Sequence, residues 1–276
     1  MRLSPNRKLA GKQKTGPVDG FTYVSGQHEE QPVSSLKSRF NCRYAYGRAS
    51  ETAQLQEQGQ DYMAFAVDGR TCSFVLCDGV SMSYRGDFAA RFLGEGLLSW
   101  LRTEAEPSRH LLQKRLVQLS QAARLEEEAL SVDQNAPLLL RDILQEKKQN
   151  GSEAMYLCGR IELPGKLGRK GRLWLAWQGD SRLRLFQQQA EVASPFSGTF
   201  RTGDRWSTRT GPKGTPNVYE CRLHAAGAYR LLLYSDGLSD LDGISEVVPD
   251  EDLQVLMDAR HTEGLEDDAS FLEISW

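Results

Sequence analysis

No apolar run in these 276 residues approaches the roughly 18 that a membrane-spanning helix needs, so the sequence predicts no membrane partner. Histidine is scarce. His28, His110, His224 and His261 stand apart, without the paired spacing of a zinc site. Cysteine is equally unhelpful as a ligand source. Cys42, Cys72, Cys77, Cys158 and Cys221 are odd in number and scattered, which predicts free thiols in a reducing compartment and a cytoplasmic location. A formal net charge of −3 supplies no basic field for nucleic acid, so none is expected as a partner. The first residues carry Arg2, Arg7, Lys8, Lys12 and Lys14 but no apolar segment behind them, and do not read as a secretory signal.

What the chain does hold is enough apolar residue for a packed body: 39% hydrophobic against 26% charged. Residues 1–40 are rich in Lys, Gly, Pro, Ser and Gln without periodicity. They are expected to form a flexible basic arm, with one domain over 41–276. Within that domain, residues 62–67 and 71–76 are apolar strand-like runs around Asp68-Gly69, the signature of a hairpin. A two-residue loop at 68 and 69 makes Asp61 and Asp78 diagonal neighbours on one sheet face, about 7–8 Å apart. A four-residue loop would set them opposite each other, and a three-residue loop would separate them.

Phe88, Phe92, Leu93, Leu97 and Leu101 recur at helical spacing over 86–102. A second helix is expected after Pro107, and a third over 138–148, stopped by Asn150-Gly151. Strands return at 154–163, 173–178, 183–186, 229–235 and 269–276. Residues 173–178 are apolar on both faces, which predicts a central strand covered on both sides. Residues 187–217 hold many Gly, Pro, Ser and Thr residues and are expected to form a functional loop or flap. Strands, then helices, then strands with short links predict an α+β fold: a β-sandwich of two antiparallel sheets flanked by helices.

One pattern recurs. Residues 74–77 run into Asp78-Gly79, residues 173–178 into Gly179-Asp180, and residues 229–235 into Asp236-Gly237. Asp267-Asp268 then precedes the last strand. A single Asp-Gly is a turn. Several, each abutting an apolar strand, can gather around hard divalent cations, which take oxygen ligands.

The ordered set resembles the metal-dependent protein phosphatases, the PPM or 2C-type Ser/Thr phosphatases. The residues that carry it are Gly59-Gln60-Asp61, Val75-Leu76-Cys77-Asp78-Gly79-Val80, Gly151-Ser152, Trp177-Gln178-Gly179-Asp180-Ser181-Arg182, Leu233-Tyr234-Ser235-Asp236-Gly237 and Glu266-Asp267-Asp268-Ala269-Ser270. Each motif alone is weak; the ordered series spans about residues 43–276 and looks most like bacterial members. The resemblance implies two Mn²⁺ or Mg²⁺ ions in a cleft at one sheet edge. Asp78 would bridge them, the Gly79 carbonyl would bind one, and Asp236 and Asp267 the other. Asp61 would assist on the Gly79 side, with Asp268 behind the ligands and Asp240 orienting water. It also implies hydrolysis of phosphoserine and phosphothreonine in a phosphoprotein substrate by a metal-bridged water, a chemistry that needs no Cys-x5-Arg loop.

Several positions depart from the family pattern. Gln56 stands where an arginine that grips phosphate is often found, with Arg48, Arg85 and Arg205 as possible replacements. Val80 stands where many members have His, and Ser81-Met82 replaces a glycine-rich continuation. Lys148 occupies the place of an Asp tied to a third metal, and Gly151-Ser152 is followed by Glu153. The alternative these departures raise is a pseudophosphatase, a regulatory module that binds a phosphoprotein or kinase without turnover.

Overall fold

The computed structural model describes residues 20–132, 137–165, 170–224, 227–263 and 267–276. The elements in chain order are β1 (Phe21–Val24), β2 (Gln31–Lys37), β3 (Asn41–Gly47), α1 (Ser50–Gln54), β4 (Tyr62–Asp68), β5 (Thr71–Gly79), α2 (Gly86–Thr103), α3 (Arg109–Ala129), α4 (Leu138–Asn150), β6 (Glu153–Glu162), β7 (Gly171–Gln178), β8 (Arg182–Gln187), β9 (Ala190–Glu191), β10 (Arg205–Ser207), β11 (Gly211–Lys213), β12 (Asn217–Leu223), β13 (Tyr229–Tyr234), the 3₁₀ turn Asp236–Leu241, α5 (Asp250–Glu263) and β14 (Ala269–Ser275).

Two antiparallel sheets face each other, as the sequence predicts. The first has the order β1-β4-β5-β6 and continues along the far edge of β6 with β7-β12 and, at the start of β6, with β10-β11. The second has the order β2-β3-β14-β13-β8-β9. Side chains alternate between faces with the strand period of two. Met63, Phe65 and Val67 of β4 therefore enter the layer between the sheets, where Phe74, Leu76, Leu157, Trp177, Leu233 and Leu272 meet them. The other parity (Tyr62, Ala64 and Ala66) packs under α2 and α3 against Leu93, Leu97, Leu116 and Trp174. A third cluster holds α5 and the 3₁₀ turn on the outside of the second sheet, through Leu232, Tyr234, Leu253, Met257 and Phe271. Each sheet is thus apolar on both faces, and β7 is central and covered, with Trp174 and Trp177 both buried on opposite sides.

The helices follow their sequence signals. Ser108 caps α3 by accepting from the Leu111 amide at 3.4 Å. Gly151 ends α4 in a left-handed conformation, φ 87°.

Three boundaries differ from the sequence expectation. The body begins earlier than residue 41: β1 pairs with β4 and β2 with β3, and Phe21, Tyr23 and Leu36 pack against the central core. These are edge strands of four and seven residues, too short and too polar on the outer face to stand out in a Gly- and Ser-rich stretch. Arg2, Arg7, Lys8, Lys12 and Lys14 lie outside the described residues, as does Glu266. The β4–β5 turn also sits one residue later than expected. Asp68 pairs with Thr71, so Gly69 and Arg70 make the bend, and the register carries Asp61 opposite Asp78. Finally, the 187–217 stretch is built into the sheets through β9, β10 and β11. Trp206 is fully buried under α3 and donates from Nε1 to the Leu116 carbonyl at 3.0 Å.

Candidate metal centre

The topology alone brings the acidic residues to one end of the sandwich. β4 starts where β5 ends, which sets Asp61 beside Asp78. β13 ends where β14 starts, which sets Asp236 near Asp267 and Asp268, and the Ser235 amide donates to the Ser270 carbonyl just beyond the ladder. β7 ends at Gln178 level with Tyr156 near the start of β6, then crosses to the other sheet as β8. Asp180 sits on that crossing.

Two glycine-dependent approaches make this end of the fold possible. A Cβ at Gly179 would lie 2.4 Å from the Met155 Cβ, and its φ of 120° is open to glycine alone at low cost. A Cβ at Gly79 would lie 2.4 Å from the backbone of Gly86, so only glycine lets the start of α2 close over the end of β5.

Carboxylate oxygens of Asp78, Asp180 and Asp236 lie within 4.8 Å of one another. Asp180 belongs to a strand-end motif in the sequence yet is absent from the ligand set that the resemblance implies; the Gly-Asp after an apolar strand was its signal. Asp61 and Asp267 flank the trio. Burial pushes the Asp78 carboxyl well above the usual range, and the charges of Asp61, Asp236, Asp267 and Asp180 push it further. Burial and then Asp268 raise Asp61 likewise, against the hydroxyls of Ser235 and Ser270. Asp180 is raised by burial and by Asp236. Asp267 is raised to about 6 by burial and by Asp236, although its side chain stays in contact with solvent.

Asp268 differs from its neighbour. It is buried and accepts from the backbone amides of Ala49 at 2.6 Å, Asp61 at 3.2 Å and Gln60. Its oxygens pin the loop that delivers Asp61. Asp240 is exposed on the 3₁₀ turn, outside the trio. The arginines that could replace a grip at Gln56 are each engaged: Arg48 with Glu30, Arg85 with Asp87 and Arg205 with Glu153. Gln56 itself follows α1 in a left-handed conformation, φ 57°. Lys148 turns away to the C-terminal carbonyls of α3, donating to those of Glu128 and Leu130.

The donor set fits a hard divalent cation. Asp61 Oδ2, Asp180 Oδ1 and Gln60 Oε1 are buried without a hydrogen-bond partner. Among the described residues, no lysine or arginine forms an ion pair with Asp61, Asp78, Asp180, Asp236 or Asp267. Arg182, which donates to the Asp180 carbonyl, offsets part of the charge at Asp180 without pairing with its carboxylate. Carboxylates this crowded still need protons or cations, and oxygen-only donors suit Mg²⁺ or Mn²⁺.

No family model matches the sequence, and no curated protein matches it. Solved structures do match in fold. A phosphatase from a pathogenic strain of Toxoplasma gondii superposes with a TM-score of 0.55 at 10% identity, covering 92% of this chain and 95% of its own. The serine/threonine phosphatase Stp1 from Staphylococcus aureus gives 0.54 at 15%, covering 91% and 98%. A bacterial serine phosphatase gives 0.52 at 16%, covering 85% and 96%. The sandwich with helices on both outer faces is thus shared, as a fold, with these phosphatases. More narrowly, the chain has the fold of the PPM-type Ser/Thr phosphatases. No helix among the described residues is long and apolar enough to cross a membrane.

Proposed function

We propose that this protein is a metal-dependent Ser/Thr protein phosphatase, hydrolysing phosphoserine and phosphothreonine monoesters in a phosphoprotein substrate. The observation that carries the reading is the Asp78–Asp180–Asp236 trio at the mouth of a PPM-type sandwich. Asp78, Asp180 and Asp236 would hold two Mn²⁺ or Mg²⁺ ions, with Asp267, Asp61 and the Gly79 carbonyl at their flanks. Bound there, such ions would supply Lewis acidity towards the phosphoryl oxygens and would lower the pKa of water. The chain's own residues fix that chemistry in place. Asp268 holds the Asp61 loop through three amides, while Gly79 lets the start of α2 close on β5 and Gly179 lets the crossing segment pass against Met155 of β6. A reducing, cytoplasmic setting suits the five free cysteines, four of them buried and two of those, Cys42 and Cys72, near enough to interact without a bridge.

The test is hydrolysis of para-nitrophenyl phosphate with Mn²⁺, with EDTA, and by Asp78→Asn, alongside melting temperatures in the same three conditions. Metal-dependent turnover lost in Asp78→Asn supports the enzyme. A Mn²⁺-dependent rise in melting temperature without turnover would instead indicate a phosphoprotein-binding module. No metal effect on either readout would sink the site.

A further inference from the structure

Beside the acidic trio lies a cavity of about 620 Å³ into which three cations are drawn, Lys147 from the end of α4, Arg205 from β10 and Lys213 from β11, among neutral polar groups such as Asn150 and Thr202. Among the described residues its one lining carboxylate is that of Glu153, which is buried and already engaged twice, with Arg205 at 2.6 Å and with Lys213. Three cations against one carboxylate leave the cavity positive, while the trio next to it is negative.

The sheet register fixes how the two are related. Asp78 pairs with Met155 and Arg205 pairs with Lys213. Trp206 pairs with Ala154, so one step back along β10 sets Arg205 beside Met155. Asp78, Met155, Arg205 and Lys213 therefore form one row across four strands. Residues paired across a sheet share a face. Trp206 packs under the helices, and Leu76 and Leu157, each two residues from a member of the row, pack between the sheets. The row thus lies on the inter-sheet face, at its open end. Strands are about 4.8 Å apart, so Arg205 is set about 10 Å and Lys213 about 14 Å from Asp78. An extended peptide advances about 3.3 Å per residue. A phosphoserine over the trio then brings the residue three or four positions away over Arg205 and Lys213, with Met155 as an apolar floor between.

We propose that this cavity is a specificity site for an anionic group three or four residues from the phosphorylated residue, so that the substrates are acidic or multiply phosphorylated segments. The proposal rests on the phosphatase reading and deepens it.

The test uses fluorescein-labelled phosphoserine peptides that differ only three and four positions from the phosphoserine, on either side, where they carry Glu, a second phosphoserine, Ala or Lys. With the Mn²⁺-loaded protein, kcat/KM for the Glu peptide should exceed that for the Lys peptide by about tenfold, and the margin should shrink with added salt. The Glu and second-phosphoserine arms report which anion is preferred. Lys213→Glu and, separately, Lys147→Glu should bring the Glu-to-Lys ratio to about one or invert it. Lys114→Glu, an equal charge change on the exposed side of α3, should leave the ratio as it was. Equal rates for Glu and Lys peptides, or a preference untouched by both reversals, would overturn the proposal. Should no peptide be turned over, the enzyme reading falls on its own, and fluorescence anisotropy with the same peptides decides the cavity. Tighter binding of the Glu peptide that Lys213→Glu abolishes would sustain it, and equal binding would refute it.

Discussion

Glu127 and Asp78 are both carboxylates taken out of bulk water, and the fold treats them in opposite ways. Glu127, on α3, is fully buried. It accepts from the hydroxyls of Ser152 and Thr208, the latter at 3.0 Å, with the Arg209 guanidinium at 3.5 Å. Arg209 also reaches Glu128 and the Lys148 carbonyl, so the node ties α3, the end of α4 and the β10–β11 turn together. Asp78 has four carboxylates around it and, among the described residues, no ion-paired lysine or arginine. A milder form of the contrast recurs between adjacent residues, since Asp268 accepts from three backbone amides while Asp267 accepts from one and faces the charge of Asp236. A satisfied buried carboxylate is architecture. A crowded, unsatisfied one is what the proposed cation site would require.

The comparison can be broken from either side. The largest effect is expected at the unsatisfied group: Asp78→Asn should lower Mn²⁺-dependent phosphatase turnover by about a thousandfold. The same substitution should raise the melting temperature in EDTA, because the neutral amide needs neither the proton nor the cation that burial and four neighbouring carboxylates demand of Asp78. It should also abolish stabilisation by Mn²⁺, about 2.7 kcal/mol at a hundredfold excess over Kd in the wild type.

At the satisfied group the signs reverse. Glu127→Ala should destabilise the fold by about 3 kcal/mol in urea unfolding, with or without metal, since it leaves two buried hydroxyls without their acceptor and takes one of three partners from Arg209. Glu127→Gln, which keeps the acceptor, should cost less. Equal stability of Glu127→Ala and wild type would remove the node from the architecture.

Asp268→Ala comes next. The loss of three amide acceptances should cost about 3 kcal/mol, and Mn²⁺ should bind more weakly because the Asp61 loop is freed. Isothermal titration of Mn²⁺ into the variant would check both the affinity and the heat.

The smallest expected effect is on pH. Asp267 titrates at about 6 in the folded chain against 3.8 for an ordinary aspartate. The folded state therefore holds more protons in that window, and the metal-free protein should lose stability as pH rises from about 4 to about 6. The raised carboxyls of Asp78, Asp61 and Asp180 act in the same direction. Melting temperatures in EDTA across that range should fall, and Mn²⁺ should flatten the slope at its upper end. A rise would show that the cluster is already neutralised.

Much of this was legible in the residues. The two-sheet sandwich followed from strands bounded by short turns, and the facing of Asp61 and Asp78 from counting across one hairpin. What could not be read has physical causes. Phe21 and Tyr23 sit on a four-residue edge strand, too short for alternation to rise above a polar background. Trp206 anchors a three-residue strand inside a stretch whose glycines and threonines read as loop. Glu127 lies within Glu126-Glu127-Glu128, a run that reads as a solvated helix face; only the arrival of Ser152, Thr208 and Arg209 from distant segments shows that its middle member points inward. Asp180 was visible as a strand-end carboxylate, but its place beside Asp78 depends on β7 changing sheets, a long-range event that local pattern does not encode.

That crossing has a mechanical consequence. Asp78 ends a strand of one sheet, Asp236 follows a strand of the other, and Asp180 rides the segment that joins them. A cation shared by the three is a cross-link between sheets as well as a reagent. Amide hydrogen exchange at the ends of β5 and β13 should accordingly slow when Mn²⁺ is added, while the opposite end of the sandwich, at the Gly69-Arg70 bend, breathes at its own rate.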